Sequence, residues 1–324
     1  MKLILTIFCL ALTQVVSAQT YAEKLGFPKG KKVIIFHVDD AGMSYDSNEG
    51  TRKALSSGVA TSTSVMMPCP WVPHFMNLAQ QNPTWDLGVH LTLTSEWKDY
   101  RWQPLTGREK TPGLYDPQGY YWRGVAEVVS HASPDEVESE IRAQIAQFRQ
   151  FGLEPSHIDS HMGTLFQPKF IERYVKVGIE EKIPVMFPGG HNTLIQKESP
   201  IDVKATKMIG EKLWAARLPV LDDLFTETYS WKSPAGQPLT DQNLRAYKTQ
   251  KFLALLQECK PGLTMIIVHC TDPTPQFSII SDSGPTRKGD LLAMLDPELR
   301  KYIEQNDIIL TNWRDIKERR KQVK

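Results

Sequence analysis

Val33-Ile34-Ile35-Phe36-His37-Val38-Asp39-Asp40-Ala41-Gly42 is an apolar, β-branched run that stops at two adjacent carboxylates and a small Ala-Gly pair. An apolar run of this length reads as a strand buried on both faces, as in a parallel sheet. In such folds the loops beyond the C-terminal strand ends carry the chemistry. Side chains alternate along a strand, so Asp39 and Asp40 are expected to point in different directions. One is then free to bind a metal while the other acts as a base. The competing reading is a turn in which one Asp caps the next segment, since Asp and Gly dominate turns. The rest of the chain decides between them.

Outward from this strand, apolar segments alternate with helical ones. Strands are expected at 61–67, 87–93, 155–160, 183–187, 263–269 and 308–310, with a further one at 217–220. Helical spacing covers 48–58, 72–81, 134–151, 168–180 and 244–258, then 291–305 with an interruption at Asp296-Pro297, and finally the segment from Trp313 onward. Alternation of this kind implies parallel strands and right-handed crossovers. The expected fold is α/β, a distorted (β/α) barrel of about seven to eight parallel strands in a single domain. With 324 residues, 41% of them hydrophobic, the chain has enough material for one large core of that type.

Residues 97–123 break the pattern. They hold Trp97, Tyr100, Trp102, Tyr120 and Trp122 among Pro and Gly without a helical period. A segment this long is either functional or an irregular cap. Aromatic faces beside polar turns stack on the apolar C–H faces of sugars; the alternative is a hydrophobic plug over the barrel mouth.

The net charge of +1 gives no electrostatic argument for nucleic acid or an anionic membrane. Residues 1–18 carry the marks of a secretory signal: Lys2, an apolar stretch at 3–12, and Val16-Ser17-Ala18 before Gln19. The apolar stretch is too short for a stable membrane anchor. The mature domain is therefore expected to span 19–324 and to be exported, periplasmic or secreted. Cys69, Cys259 and Cys270 form no CxxC pair and read as buried hydrophobes. Whether the protein is a monomer or a homodimer is left open.

Polar residues collect at the strand ends: Asp39 and Asp40, His90, then His157, Asp159 and His161, and His269. In a barrel these ends converge on one face. One Asp and two neutral imidazoles form a facial set with open positions, which suits a catalytic divalent ion better than a closed structural site.

Three stretches together resemble the YdjC-like (ChbG/HpnK) carbohydrate deacetylases. They are Val38-Asp39-Asp40-Ala41-Gly42-Met43-Ser44 with Asn48, Gly88-Val89-His90-Leu91-Thr92-Leu93-Thr94, and His157-Ile158-Asp159-Ser160-His161. Leu114-Tyr115-Asp116-Pro117-Gln118-Gly119-Tyr120 resembles that family's segment after the His-bearing strand. Arg287-Lys288-Gly289-Asp290-Leu291 resembles its Arg-x-x-Glu-Leu helix start, with Asp290 in place of the Glu. The resemblance implies a distorted (β/α) barrel, a divalent metal, and removal of N-acetyl groups from amino-sugar oligosaccharides. It implies Asp40, His90 and His161 as metal ligands, Asp39 as catalytic base and His269 as general acid. Asp159, with His157 beside it, is then a carboxylate that orients a ligand histidine from behind. Trp97, Trp102 and Tyr120 are candidates to contact the sugar. Arg217 is a candidate to contact substrate or to hold Asp39, against its reading as a plain surface arginine. An Asp/His₂ set favours Zn²⁺ or a similar transition ion, with Mg²⁺ carrying more waters as the alternative. Where the family follows its late histidine with Pro-Gly, this chain has Cys270-Thr271-Asp272. Two alternatives therefore stand beside the deacetylase: a carbohydrate-binding barrel without catalysis, and a metal hydrolase of another ester or amide bond.

Overall fold

The computed structural model describes residues 19–323; the expected signal segment 1–18 lies outside them. Seven strands form one sheet: β1 (Lys32–Ala41), β2 (Ser62–Val65), β3 (Leu87–Leu91), β4 (Ile158–Ser160), β5 (Asp223–Phe225), β6 (Gly262–Val268) and β7 (Ile309–Leu310). Their order is β4-β3-β2-β1-β6-β5, with β7 beside β1. Every ladder is parallel. β1 is the axis of the sheet. One edge pairs with β6 along its length; the other is shared, β7 taking Val33 and Ile34 and β2 taking His37 to Ala41.

The sheet curls into a half-barrel. Only isolated bridges, Ile158 with Val185 and Pro188 with Leu221, carry it round from β4 to β5. The strand expected at 183–187 is reduced to these contacts because Pro184 and Pro188 cannot donate to a ladder. The strand expected at 217–220 is displaced to β5. Arg217 has a left-handed φ of 66° and Pro219 lacks an N–H, so the chain becomes regular only after them.

Alternation along β1 sorts its side chains. Ile34, Phe36 and Val38 point outward and pack with Phe252, Leu256, Leu291 and Met294 of the helices Asp241–Glu258 and Gly284–Met294. Val33 and Ile35 point into the curl, where they meet Met186, Leu224, Met265 and Trp313. His37 and Asp39 continue that inner row. The interior is thus apolar at the N-terminal end of the strands and polar at the C-terminal end. Among the described residues, seven further helices of nine residues or more flank the sheet: Tyr45–Ser57, Val72–Gln81, Pro134–Gln150, Ile171–Glu181, Val203–Ala215, Pro297–Gln305 and Trp313–Gln322. Asp296 caps Pro297–Gln305, which accounts for the break expected there.

Residues 97–123 are an irregular cap. Glu140, fully buried on helix Pro134–Gln150, accepts from Leu105 N (3.0 Å), Thr106 N (2.9 Å) and Tyr121 Oη (2.6 Å), which pins the segment to the barrel. Cys69, Cys259 and Cys270 are buried and free. No helix among the described residues is long and apolar enough to cross a membrane.

Candidate active site

β1 does not end as a plain strand. Its register with β2 shifts between Val38 and Ala41, and Asp40 adopts a left-handed φ of 67°. A bulge of this kind re-aims the side chain that follows it, at a cost in backbone strain that the surroundings must bear. Simple alternation, which would turn Asp40 away from Asp39, is therefore broken. Both carboxylates reach one place: His90 Nε2 lies 3.3 Å from Asp40 Oδ1 and 3.8 Å from Asp39 Oδ2.

Three side chains from three elements converge on that point. Asp40 Oδ1 is 3.3 Å from His90 Nε2 and 3.3 Å from His161 Nδ1, and the two histidine nitrogens are 3.3 Å apart. All three residues are buried. Asp40 Oδ1 has no hydrogen-bond partner although it is shielded from solvent. An orphaned buried carboxylate oxygen facing two imidazole nitrogens is costly as it stands and is the donor set a divalent cation requires. The other oxygen, Oδ2, is held at 2.7 Å by Arg287 Nη1, so only Oδ1 faces the histidines.

Behind these groups lies a buried polar layer. His90 Nδ1 is 2.8 Å from Asp159 Oδ1, which fixes the proton on Nδ1 and leaves Nε2 free as a donor atom. Asp159 Oδ2 accepts from Ser64 Oγ at 2.7 Å and faces His37 Nε2 at 2.9 Å. His37 Nε2 also lies 3.2 Å from Asp39 Oδ1, and its Nδ1 is 3.0 Å from Ser62 Oγ. His157 packs edge-on against His37 and stacks on Trp313 at 5.0 Å. Gly88 makes room for it: a Cβ there would fall 2.4 Å from His157 Cε1.

His269, just past β6, places Nε2 3.9 Å from Asp39 Oδ2. Its backbone N–H donates to Asp290 Oδ2 at 3.0 Å, and Asp290 is paired with Lys248 at 2.7 Å, both side chains fully buried. Tyr229 crosses the His269 ring at 5.1 Å and lies 5.2 Å from the Arg287 guanidinium. Glu96 Oε2 approaches His161 Nε2 at 3.3 Å from the loop after β3.

The electrostatics follow from burial and charge. For Asp40, burial alone raises the pKa, but Arg287 and the two histidines outweigh it and hold the carboxyl well below the usual range. For His161, burial is outweighed by the Glu96 charge and by Asp40, which lift it to about 9. His37 is likewise lifted to about 9, by Asp159 and Asp39 against burial. His269 goes the other way: burial, with Arg287, keeps it neutral against the pull of Asp40 and Asp39. Asp40, His90 Nε2 and His161 Nδ1 would hold a cation with both imidazole nitrogens unprotonated.

The structure thus brings together Asp39, Asp40, His90, His161, His269 and Asp159. Trp97 is half-buried at the mouth, its ring 6.0 Å from the Arg287 guanidinium. The other three residues named for substrate have these surroundings. Trp102 is buried, its Nε1 donating to Thr94 O, so it plugs the cap and has no free face. Tyr120 packs on Arg101. Arg217 is exposed and bonds to Val323 O beside the C-terminal helix, so it reaches neither Asp39 nor the mouth. The arginine at the site is Arg287, which stood in a quoted motif without a role. His37 was legible in principle, being two residues before Asp39 on the same face. Glu96 had no signal.

Comparison with known proteins adds four findings. Residues 33–305 match the family described as "YdjC-like protein". A carbohydrate deacetylase from Thermus thermophilus is 30% identical over 91% of this chain and 97% of its own length. One from Thermoanaerobacter pseudethanolicus is 24% identical over 88% of this chain and 100% of its own. The crystal structure of a putative cellobiose-phosphate cleavage protein from Enterococcus faecalis superposes with a TM-score of 0.70 at 24% identity, covering 87% of this chain and 98% of that one; it shares the fold.

Proposed function

This chain belongs to the YdjC-like family, and from that premise we propose that it is a metal-dependent hydrolase that removes N-acetyl groups from amino-sugar oligosaccharides. Similar proteins named carbohydrate deacetylase support the substrate class. The observation that carries the reading is Asp40 Oδ1, buried, unpartnered and 3.3 Å from both His90 Nε2 and His161 Nδ1. A divalent cation held there, Zn²⁺ or a similar ion with Mg²⁺ as the alternative, supplies Lewis-acid polarisation of the acetyl carbonyl and a more acidic water.

The chain's own residues supply the rest. Asp39 takes the proton of the attacking water. His37, itself held by Ser62 and Asp159, faces Asp39 Oδ1 from behind at 3.2 Å. His269 is neutral before reaction. It faces Asp39 Oδ2 at 3.9 Å, so a proton taken by Asp39 has a short route to His269 and from there to the leaving amine. Arg287 keeps Asp40 ionised and fixes its second oxygen. The protein is proposed to act outside the cytoplasm, on the strength of residues 1–18.

Acetate release from N-acetylated chito-oligosaccharides tests the reading, measured before and after chelation and with metal added back. Release that a chelator abolishes and a divalent ion restores is expected. Chelator-insensitive release contradicts the metal site, and absence of release with metal bound contradicts the substrate class.

A further inference from the structure

Tyr45, Trp71 and Tyr229 are 43%, 40% and 36% exposed, and no other Phe, Trp or Tyr among the described residues is as open. Each follows a C-terminal strand end within a few residues: Tyr45 after β1, Trp71 after β2, Tyr229 after β5. Exposed aromatic surface is expensive to keep in water, and its collection at one end of a barrel marks a contact surface. Tyr229 lies over His269 and Arg287 and belongs to the site already described. Tyr45 and Trp71 do not.

Tyr45, Trp71 and His74 form a separate cluster. Their ring centroids are 5.5 Å (Tyr45–Trp71), 5.6 Å (Tyr45–His74) and 5.7 Å (Trp71–His74) apart. The Trp71 backbone and His74 are anchored. Asn48 accepts from Gly42 N at 2.7 Å and donates to Trp71 O at 3.0 Å, with His74 Nδ1 also 3.0 Å away. Trp71 N donates back to Gly42 O at 3.2 Å. Gly42 is two residues from Asp40, so the cluster is tied to the segment that carries both carboxylates.

Aromatic groups of the cap reach from the site to the segment that precedes Tyr45. Trp97 lies 6.0 Å from the Arg287 guanidinium, Tyr100 lies 6.5 Å from Trp97, and Tyr100 Oη donates to Met43 O at 2.5 Å, two residues before Tyr45. The cluster therefore lies at the same C-terminal end of the strands as Asp40. Pyranose rings present apolar C–H faces at regular intervals along a chain, and rigid, spaced aromatic rings suit them. We propose that Tyr45 and Trp71 form a remote subsite that stacks a sugar ring of the same glycan whose acetyl group lies at Asp40. The enzyme then prefers oligomers over disaccharides. This rests on the deacetylase reading above.

The test compares wild type with Y45A/W71A on di-N-acetylchitobiose and tetra-N-acetylchitotetraose. Both side chains are exposed and their backbone bonds are kept, and Y45F/W71F restores flat rings. The expected result is a KM for the tetramer raised about tenfold in the alanine variant, the loss of roughly one stacking contact. Its kcat and the disaccharide kinetics stay unchanged, and the phenylalanine variant recovers most of the affinity. An unchanged tetramer KM, or an equal loss on both substrates, overturns the subsite. If wild type releases acetate from neither substrate, the deacetylase reading fails separately. Calorimetric titration of the tetramer into wild type and Y45A/W71A then decides the subsite, and equal affinity overturns it. A concentration-dependent dimer abolished in Y45A/W71A, with glycan affinity intact, assigns the surface to a second copy and overturns it as well.

Discussion

Lys248→Met removes the positive half of a buried ion pair. Lys248 Nζ lies 2.7 Å from Asp290 Oδ1 and 2.7 Å from Thr228 O, and neither charged side chain reaches solvent. Without the lysine, Asp290 is left buried with no counter-charge, a loss of about 3–5 kcal/mol. Over roughly 300 residues at about 2.1 cal/mol/K each, that lowers Tm by about 5–8 °C. Removing both charges, Lys248→Met with Asp290→Leu, leaves no orphaned charge, so the double variant is expected to melt above the single one. The activities diverge from the stabilities. Asp290 Oδ2 accepts the backbone N–H of His269, so the double variant frees the residue beside Asp39 and loses turnover while regaining stability. Calorimetric melting and acetate release on the three proteins measure both arms. A Tm drop of about 1 °C or less for Lys248→Met refutes the burial argument. A double variant with full turnover refutes the link to His269.

Two further perturbations follow from the geometry. Gly88→Ala puts a methyl 2.4 Å from His157 Cε1, and His157 cannot retreat between Trp313 and His37; the expected cost is about 1–3 kcal/mol, read as a lower Tm, with turnover reduced through His37. Glu198 is pushed up to about 7, chiefly by burial, against the Thr226 hydrogen bonds. Its folded pKa lies above its unfolded one of 4.5, so its contribution to stability is complete below that value and is lost as the pH rises through about 7. The Tm of wild type relative to Glu198→Gln is therefore expected to fall across that window, and a pH-independent difference contradicts the assignment.

Much of this architecture is legible along the chain because parallel strands buried on both faces leave continuous apolar runs. β1 and β6 are of that kind, and the strand-end residues Asp39, Asp40, His90, Asp159, His161 and His269 follow from them. Legibility ends where local pattern stops deciding structure. The prolines at 184 and 188 cut an apolar run down to bridges. Helix Val203–Ala215 buries only Gly210 and Leu213, too thin a stripe to show a period. Arg287 meets Asp40 across 247 residues of chain, a contact no spacing rule reaches. Simple alternation fails at Asp40 because a bulge and a left-handed φ override it, and that exception brings the two carboxylates together. Aromatic composition pointed to residues 97–123, yet Trp102 is buried there, and the open rings Tyr45 and Trp71 lie at the N-terminal ends of the helices after β1 and β2.

The most direct test of the account is metal content and turnover in Asp39→Asn. The account predicts a variant that binds one divalent ion as wild type does, through Asp40, His90 and His161, with acetate release lower by about 10²–10⁴. Retained turnover contradicts Asp39 as the base. Loss of the metal together with turnover contradicts the division of labour between Asp39 and Asp40.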